Sequence, residues 1–197
     1  MNLSKQNMRG VTLIELMVTL AILAIILMMA IPSFNEFRQR SALRGASDQI
    51  ISFWANARME ALKRNQPIKV GLIRTDDSNF WLCAAIASSN IDTTKIDAAD
   101  RVADCNIGVY PSSISEWKRI TAPASVGKNG IAFAVIDPKR GGLGVPGQAG
   151  FWEIRSPSDG VDYRLQVKID PFGRAVACEP TGGGNKQMPQ FSGRRCN

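Results

Sequence analysis

The chain of 197 residues contains no histidine. That absence removes the commonest general base and the commonest zinc ligand. Its four cysteines, Cys83, Cys105, Cys178 and Cys196, include no Cys-x-x-Cys pair, which argues against a zinc ribbon and a thioredoxin-like redox motif. No Gly-x-Ser-x-Gly motif and no carboxylate cluster at metal-ligand spacing occurs, so no nucleophile–base arrangement is in view. The stretch Gly141-Gly142-Leu143-Gly144-Val145-Pro146-Gly147 lacks Gly-Lys-Ser/Thr and a following helical pattern. It reads as a loop and not as a phosphate cradle, and Gly182-Gly183-Gly184 reads as a flexible loop. Together these absences point away from an enzyme and imply no cofactor and no metal.

What the sequence does have is one long apolar run. From Val11 to Pro32 the only polar side chains are Thr12, Glu15 and Thr19. A helix of about 21 residues rises roughly 32 Å, about one hydrocarbon core, so the run reads as membrane-spanning. Lys5 and Arg9 precede it and no basic residue recurs before Arg38, which orients the amino end towards the cytoplasm. A secretory signal peptide would have a shorter core and no acid. Glu15 is the odd element, because a carboxylate inside an apolar helix has a partner or a job. Thr12 and Thr19 read as local hydroxyls satisfied by backbone carbonyls.

The residues Gly10-Val11-Thr12-Leu13-Ile14-Glu15-Leu16 and the run behind them resemble the amino-terminal signature of type IV pilins and type II secretion pseudopilins. The resemblance implies cleavage after Gly10 by a prepilin peptidase and methylation of the new amino terminus at Val11, where the family usually has phenylalanine. It implies that Glu15 is the acid on which filament assembly depends. One turn separates Val11 from Glu15, so the freed amine pairs either with Glu15 of its own chain, near the positive helix end, or with Glu15 of a neighbouring subunit.

Pro32 is expected to bend the helix without ending it. The pattern resumes with Leu43, Ala46, Ile50, Phe53, Ala57 and Leu62 as an apolar stripe. Asn65-Gln66-Pro67 then stops the helix after Arg64, and Glu60 and Arg64 are spaced as a surface ion pair. The segment Ala57-Arg58-Met59-Glu60-Ala61-Leu62-Lys63-Arg64-Asn65-Gln66-Pro67 resembles the end of this helix in the minor pilins FimT and FimU and in the pseudopilin GspH. Beyond Pro67 come strand-like segments: 68–73, 80–83, 117–120, 130–136, 150–154, 162–169 and 172–178. Residues 88–106 read as a long loop with a helical turn near 97–101. Trp81, Trp117 and Trp152 read as core, and one of Phe53 and Trp54 as facing the sheets.

The expected fold is therefore α+β: a long transmembrane and amphipathic α-helix packed against a carboxyl-terminal antiparallel β head of the GspH/FimT type. The divisions are 1–10 as a cytoplasmic leader, 11–32 as the transmembrane or filament-core half, 33–66 as the amphipathic half and 67–197 as the head. Expected location is the bacterial inner membrane, single-pass with a periplasmic head, and then a filament. An even cysteine count fits that compartment. Of three pairings, Cys83 with Cys105 and Cys178 with Cys196 close the smallest loops, and the crossed ones remain open. The resemblance implies a minor pilin that helps to start assembly near the tip of a type IV pilus, or alternatively a GspH-like pseudopilin of type II secretion. Partners would be other pilins or pseudopilins, the prepilin peptidase, the inner-membrane assembly platform and membrane lipid before assembly. Some FimT-like pilins take up DNA through a Gly-Arg-x-Arg motif. Here Gly173-Arg174-Ala175-Val176 and Gly193-Arg194-Arg195-Cys196 both miss its last arginine, although Arg174, Lys186, Arg194 and Arg195 suggest a small basic patch for DNA. The net charge of +7 serves such a polyanion or simply solubility.

Overall fold

The computed structural model describes residues 11–74, 80–89, 104–110, 117, 120–122, 133–144, 150–158, 161–180, 186–191 and 195–196, without the side chains of 29–33, 157, 158, 161 and 190. Among the described residues a long helix, α1 (Leu13–Arg64), precedes eight strands. These are β1 (Ile68–Arg74), β2 (Phe80–Ile86), β3 (Gly108–Tyr110), β4 (Phe133–Ile136), β5 (Gly150–Ser158), β6 (Val161–Ile169), β7 (Ala175–Pro180) and β8 (Arg195–Cys196). The chain divides into two compact units, Met1–Arg38 and Gln39–Asn197.

In the first unit the helix is apolar on every side. From Leu13 to Met28 its large side chains are all at least half exposed, from Leu23 at 50% to Leu13 at 76%. Among the described residues, however, no helix is long and apolar enough to cross a membrane. This corrects the transmembrane reading of residues 11–32, and with it the single-pass inner-membrane location. The helix begins at Leu13, two residues inside the expected span, and carries Glu15 in its first turn, a residue that hydrocarbon disfavours. Helical backbone continues through Pro32; the side chain there, on which the expected bend was placed, lies outside the described residues.

The second unit takes the helix from Gln39 to Arg64 and buries one stripe: Leu43, Ala46, Ile50, Trp54, Ala57 and Ala61. Steps of three and four hold this stripe on one face. Phe53 and Leu62 were expected in it, but Phe53 is half-buried and Leu62 exposed. A five-residue step from Ala57 to Leu62 turns about 140° off the face at about 100° per residue. At the carboxyl end, Asn65 takes a left-handed conformation (φ 51°). The Gln66 N–H donates to Ala61 O and the Asn65 N–H to Leu62 O, the two bonds of a Schellman cap. Pro67 follows and cannot continue the helix.

Two four-stranded sheets lie against this stripe, in the orders β3-β2-β1-β4 and β5-β6-β7-β8. All pairings are antiparallel except β7 with β8, where Glu179 and Pro180 pair in parallel with Arg195 and Cys196. On β6, Tyr163, Leu165, Val167 and Ile169 enter the core by strand alternation. The opposite face buries Gln166, whose amide donates to Glu153 at 3.1 Å. Trp117 sits in a turn closed by the Ile120 N–H on its carbonyl, not in a strand, and Thr121 bridges Arg155 of the second sheet. β3 and β8 were not anticipated; the helical turn expected near 97–101 lies outside the described residues.

A junction ties helix and loops. The Trp54 indole N–H donates to Gly173 O at 2.9 Å, and its ring meets Trp152 edge-on at 5.9 Å. Gly173 has φ +76°, and a Cβ there would lie 2.4 Å from Gly141 O. Only glycine fits. The turn is also held by Asp170, whose carboxylate accepts from the Arg174 N–H and guanidinium. Burial raises the Asp170 pKa, but these bonds, the Arg174 charge and the Phe172 N–H outweigh it and hold it below the ordinary value.

Replacing Trp54 by Phe removes one donor and strands a buried carbonyl; a loss of about 1–3 kcal/mol is expected in denaturant midpoints of the full chain. Gly173→Ala should cost at least as much, because strain adds about 1–3 kcal/mol to the clash. A carboxylate with a lowered folded pKa contributes its full stability above its unfolded pKa and loses it as pH falls through the folded one. The Asp170→Asn variant should therefore be less stable at neutral pH, and the gap to wild type should close in melts below about pH 4.

Candidate functional site

Two regions contain the residues singled out from the sequence. At the amino end, Gly10 lies outside the described residues and Val11 precedes the helix, exposed. Thr12 caps the helix: its hydroxyl accepts the Glu15 N–H at 3.3 Å, and its carbonyl accepts the Leu16 N–H at 3.2 Å. Thr12 was expected to donate to a carbonyl; it accepts instead, whereas Thr19 does donate to Leu16 O at 2.8 Å. Glu15 is thus the third helical residue after a threonine cap, the Thr-x-x-Glu spacing of a capping box. That spacing was legible in the sequence. A carboxylate in this first turn complements the positive helix end, and an amine freed at Val11 would lie within one turn of it.

In the second unit the two disulfides are Cys83–Cys105 and Cys178–Cys196, each with Cα atoms 5.2 Å apart. The crossed pairings are absent. Cys83 and Cys105 lie with Ile73 and Trp81 in a small cluster on the face of the first sheet away from α1, so β2 is buried on both sides. Cys178–Cys196 pins β8 to the end of β7.

The proposed basic patch is not a single cluster. Arg174 precedes β7 and pairs with Asp170 at 2.7 Å, while Arg195 pairs in register with Glu179 near the far end of that strand. Five residues of extended chain separate these rows by roughly 17 Å. Lys168 lies beside Val176, near the Arg174 end. Lys186 is exposed, and Arg194 lies outside the described residues.

A groove of about 270 Å³ runs between α1 and the β2–β3 edge, lined by Phe53, Asn56, Glu60, Ala84, Ile107 and Gly108. The hydrogen bond from Arg64 lowers the Glu60 pKa; burial opposes it, and the charges of Lys63 and Arg64 assist. Glu60 is therefore ionised at neutral pH and unsuited to proton donation. Among the described residues no group of three His, Cys, Asp or Glu is placed to hold a metal ion.

Comparison with known proteins agrees with the amino-terminal region alone. The prokaryotic N-terminal methylation motif matches residues 5–31. No curated protein matches the chain, and no solved structure does. The chain carries an N-terminal methylation motif typical of type IV pilin-like proteins, and on that ground resembles pilins and pseudopilins.

Proposed function

We propose that this chain is a structural subunit of a pilin-type filament, a minor pilin that helps to start assembly at or near the tip of a type IV pilus. The observation that carries the reading is the methylation motif laid over a helix whose apolar side chains are exposed all round. A helix apolar on every side is stable only when surrounded, and like helices packed side by side supply that surrounding. Heterologous contacts repeated in this way give open filaments. Cleavage after Gly10 by a prepilin peptidase would leave an amine at Val11, one turn from a Glu15 held in the first helical turn. In a filament that amine reaches Glu15 of the next subunit and sets the axial step. Partners are then other pilins, the peptidase and the assembly platform.

In this reading the role of the chain is to pack against its neighbours in the filament. A GspH-like pseudopilin of type II secretion uses the same parts and is the second reading. DNA uptake through the tail draws no support from the separation of Arg174 from Arg195 along β7.

The Glu15→Ala protein should be made and clipped normally yet be recovered from sheared filaments at about one-tenth of the wild-type level or less. Hydrogen bonds to charged groups contribute about 1.5–3 kcal/mol. Recovery equal to wild type would remove Glu15 from assembly. A bulky replacement of Gly10 should leave an uncut precursor, visible by mass as retention of residues 1–10.

A further inference from the structure

Two glycines bring three cationic segments to one place on the second unit. A Cβ on Gly141 would lie 2.8 Å from Arg58 Nε, and one on Gly173 would lie 2.4 Å from Gly141 O. Arg58 of α1, Arg140 just before Gly141 and Arg174 just after Gly173 therefore flank one contact. Arg140 is exposed and Arg58 half-buried. Neither has a hydrogen-bond or ion-pair partner among the described residues. Phe172 stands on the same turn, 74% exposed, with its backbone against Gly142. The acids here are Asp170, engaged by Arg174, and Asp137, which accepts the Lys139 N–H.

A phenylalanine on a rigid turn beside unengaged arginines has the composition of a protein-binding hot spot, where aromatics and Arg are enriched and Lys depleted. Two carboxylates inside the patch disfavour a uniformly charged phosphate backbone. A protein face can instead place its acids opposite the arginines and an apolar side chain opposite Phe172. We propose that Arg58, Arg140, Arg174 and Phe172 form a docking surface for an acidic, partly apolar face of another protein subunit. The identity of that partner as a filament component rests on the reading under Proposed function; the chemistry of the surface does not.

The test titrates the full chain against a short labelled peptide of alternating Glu and Leu, the same peptide with Gln for Glu, and a short DNA duplex. The Glu peptide should bind in a salt-sensitive way, and the Gln peptide should not. Changing Arg140→Gln and Phe172→Ser together should weaken binding by about tenfold or more; both side chains are exposed, so the fold should hold, as checked by an unchanged melt. Arg58→Gln should weaken it further. Equal binding by wild type and variant overturns the proposal, as does tighter binding of the duplex that is lost in the same variant. In cells, a variant clipped at Gly10 but missing from sheared filaments supports the docking surface. One clipped and recovered at wild-type level overturns it and leaves the filament reading intact. If even the wild-type chain is not clipped, the filament reading fails, and the peptide titration decides the docking surface alone.

Discussion

The hydrogen bond from the Trp54 indole to the Gly173 carbonyl is the point on which the second unit turns. The first sheet is built from residues between Ile68 and Ile136 and the second from residues between Gly150 and Cys196. Among the described residues no named strand is shared between them, and the isolated Thr121–Arg155 bridge ties a residue outside the first sheet to the second. The helix must therefore join them. Trp54 does so with both ends of its side chain, its ring against Trp152 and its N–H on the β6–β7 turn. The acceptor is in reach because Gly173 adopts a backbone that other residues resist, pressed against Gly141 where a side chain would not fit. A neighbouring indole, Trp117, donates to Gln49 of the same helix at 2.9 Å and packs on Phe80 and Tyr110 of the first sheet. Both indole N–H groups thus find an acceptor, one in the β6–β7 turn and one on α1, which satisfies the polar end of a large buried ring.

The helix serves two different surroundings along one continuous ladder of hydrogen bonds. Before Arg38 its apolar residues fall at every angle, and nothing in its own unit covers them. After Gln39 the apolar residues narrow to a stripe, and ion pairs such as Arg44 with Asp48 and Arg64 with Glu60 occupy the outer surface. A stripe is what a single sheet-bearing unit can bury; an all-round apolar surface asks for several neighbours. The change of pattern within α1 is thus a physical boundary, although the helix does not break there.

Much of this was legible from residue order because the cues are local. The helix stop at Asn65-Gln66-Pro67, the clean alternation from Asp162 to Ile169 and the closeness of the cysteine pairs depend on neighbours in the chain. The misreadings have a common cause: each needed information from far away. Trp54 and Ala61 displaced Phe53 and Leu62 from the buried face because the position of the sheets sets the helix phase. β8 is two residues long, too short for any periodicity, and exists because Cys196 is bonded to Cys178. Gly173 fell inside a strand-like segment, and its need for a missing Cβ appears only where its turn meets Gly141 O.

The separation of Trp54 from its acceptor, 119 residues along the chain, fixes when the core can close. At a synthesis rate of about 5–20 residues per second, the indole waits roughly 6–24 s for Gly173 to be made. The first sheet can form in that interval, since its strands all precede the second. Its apolar face and the stripe of α1 then have only each other for cover until β5, β6 and β7 arrive. Closure by such distant contacts is slow because loop entropy is spent before the contacts are gained. Completion of this fold waits on β7 and on β8, which fastens the edge of the second sheet.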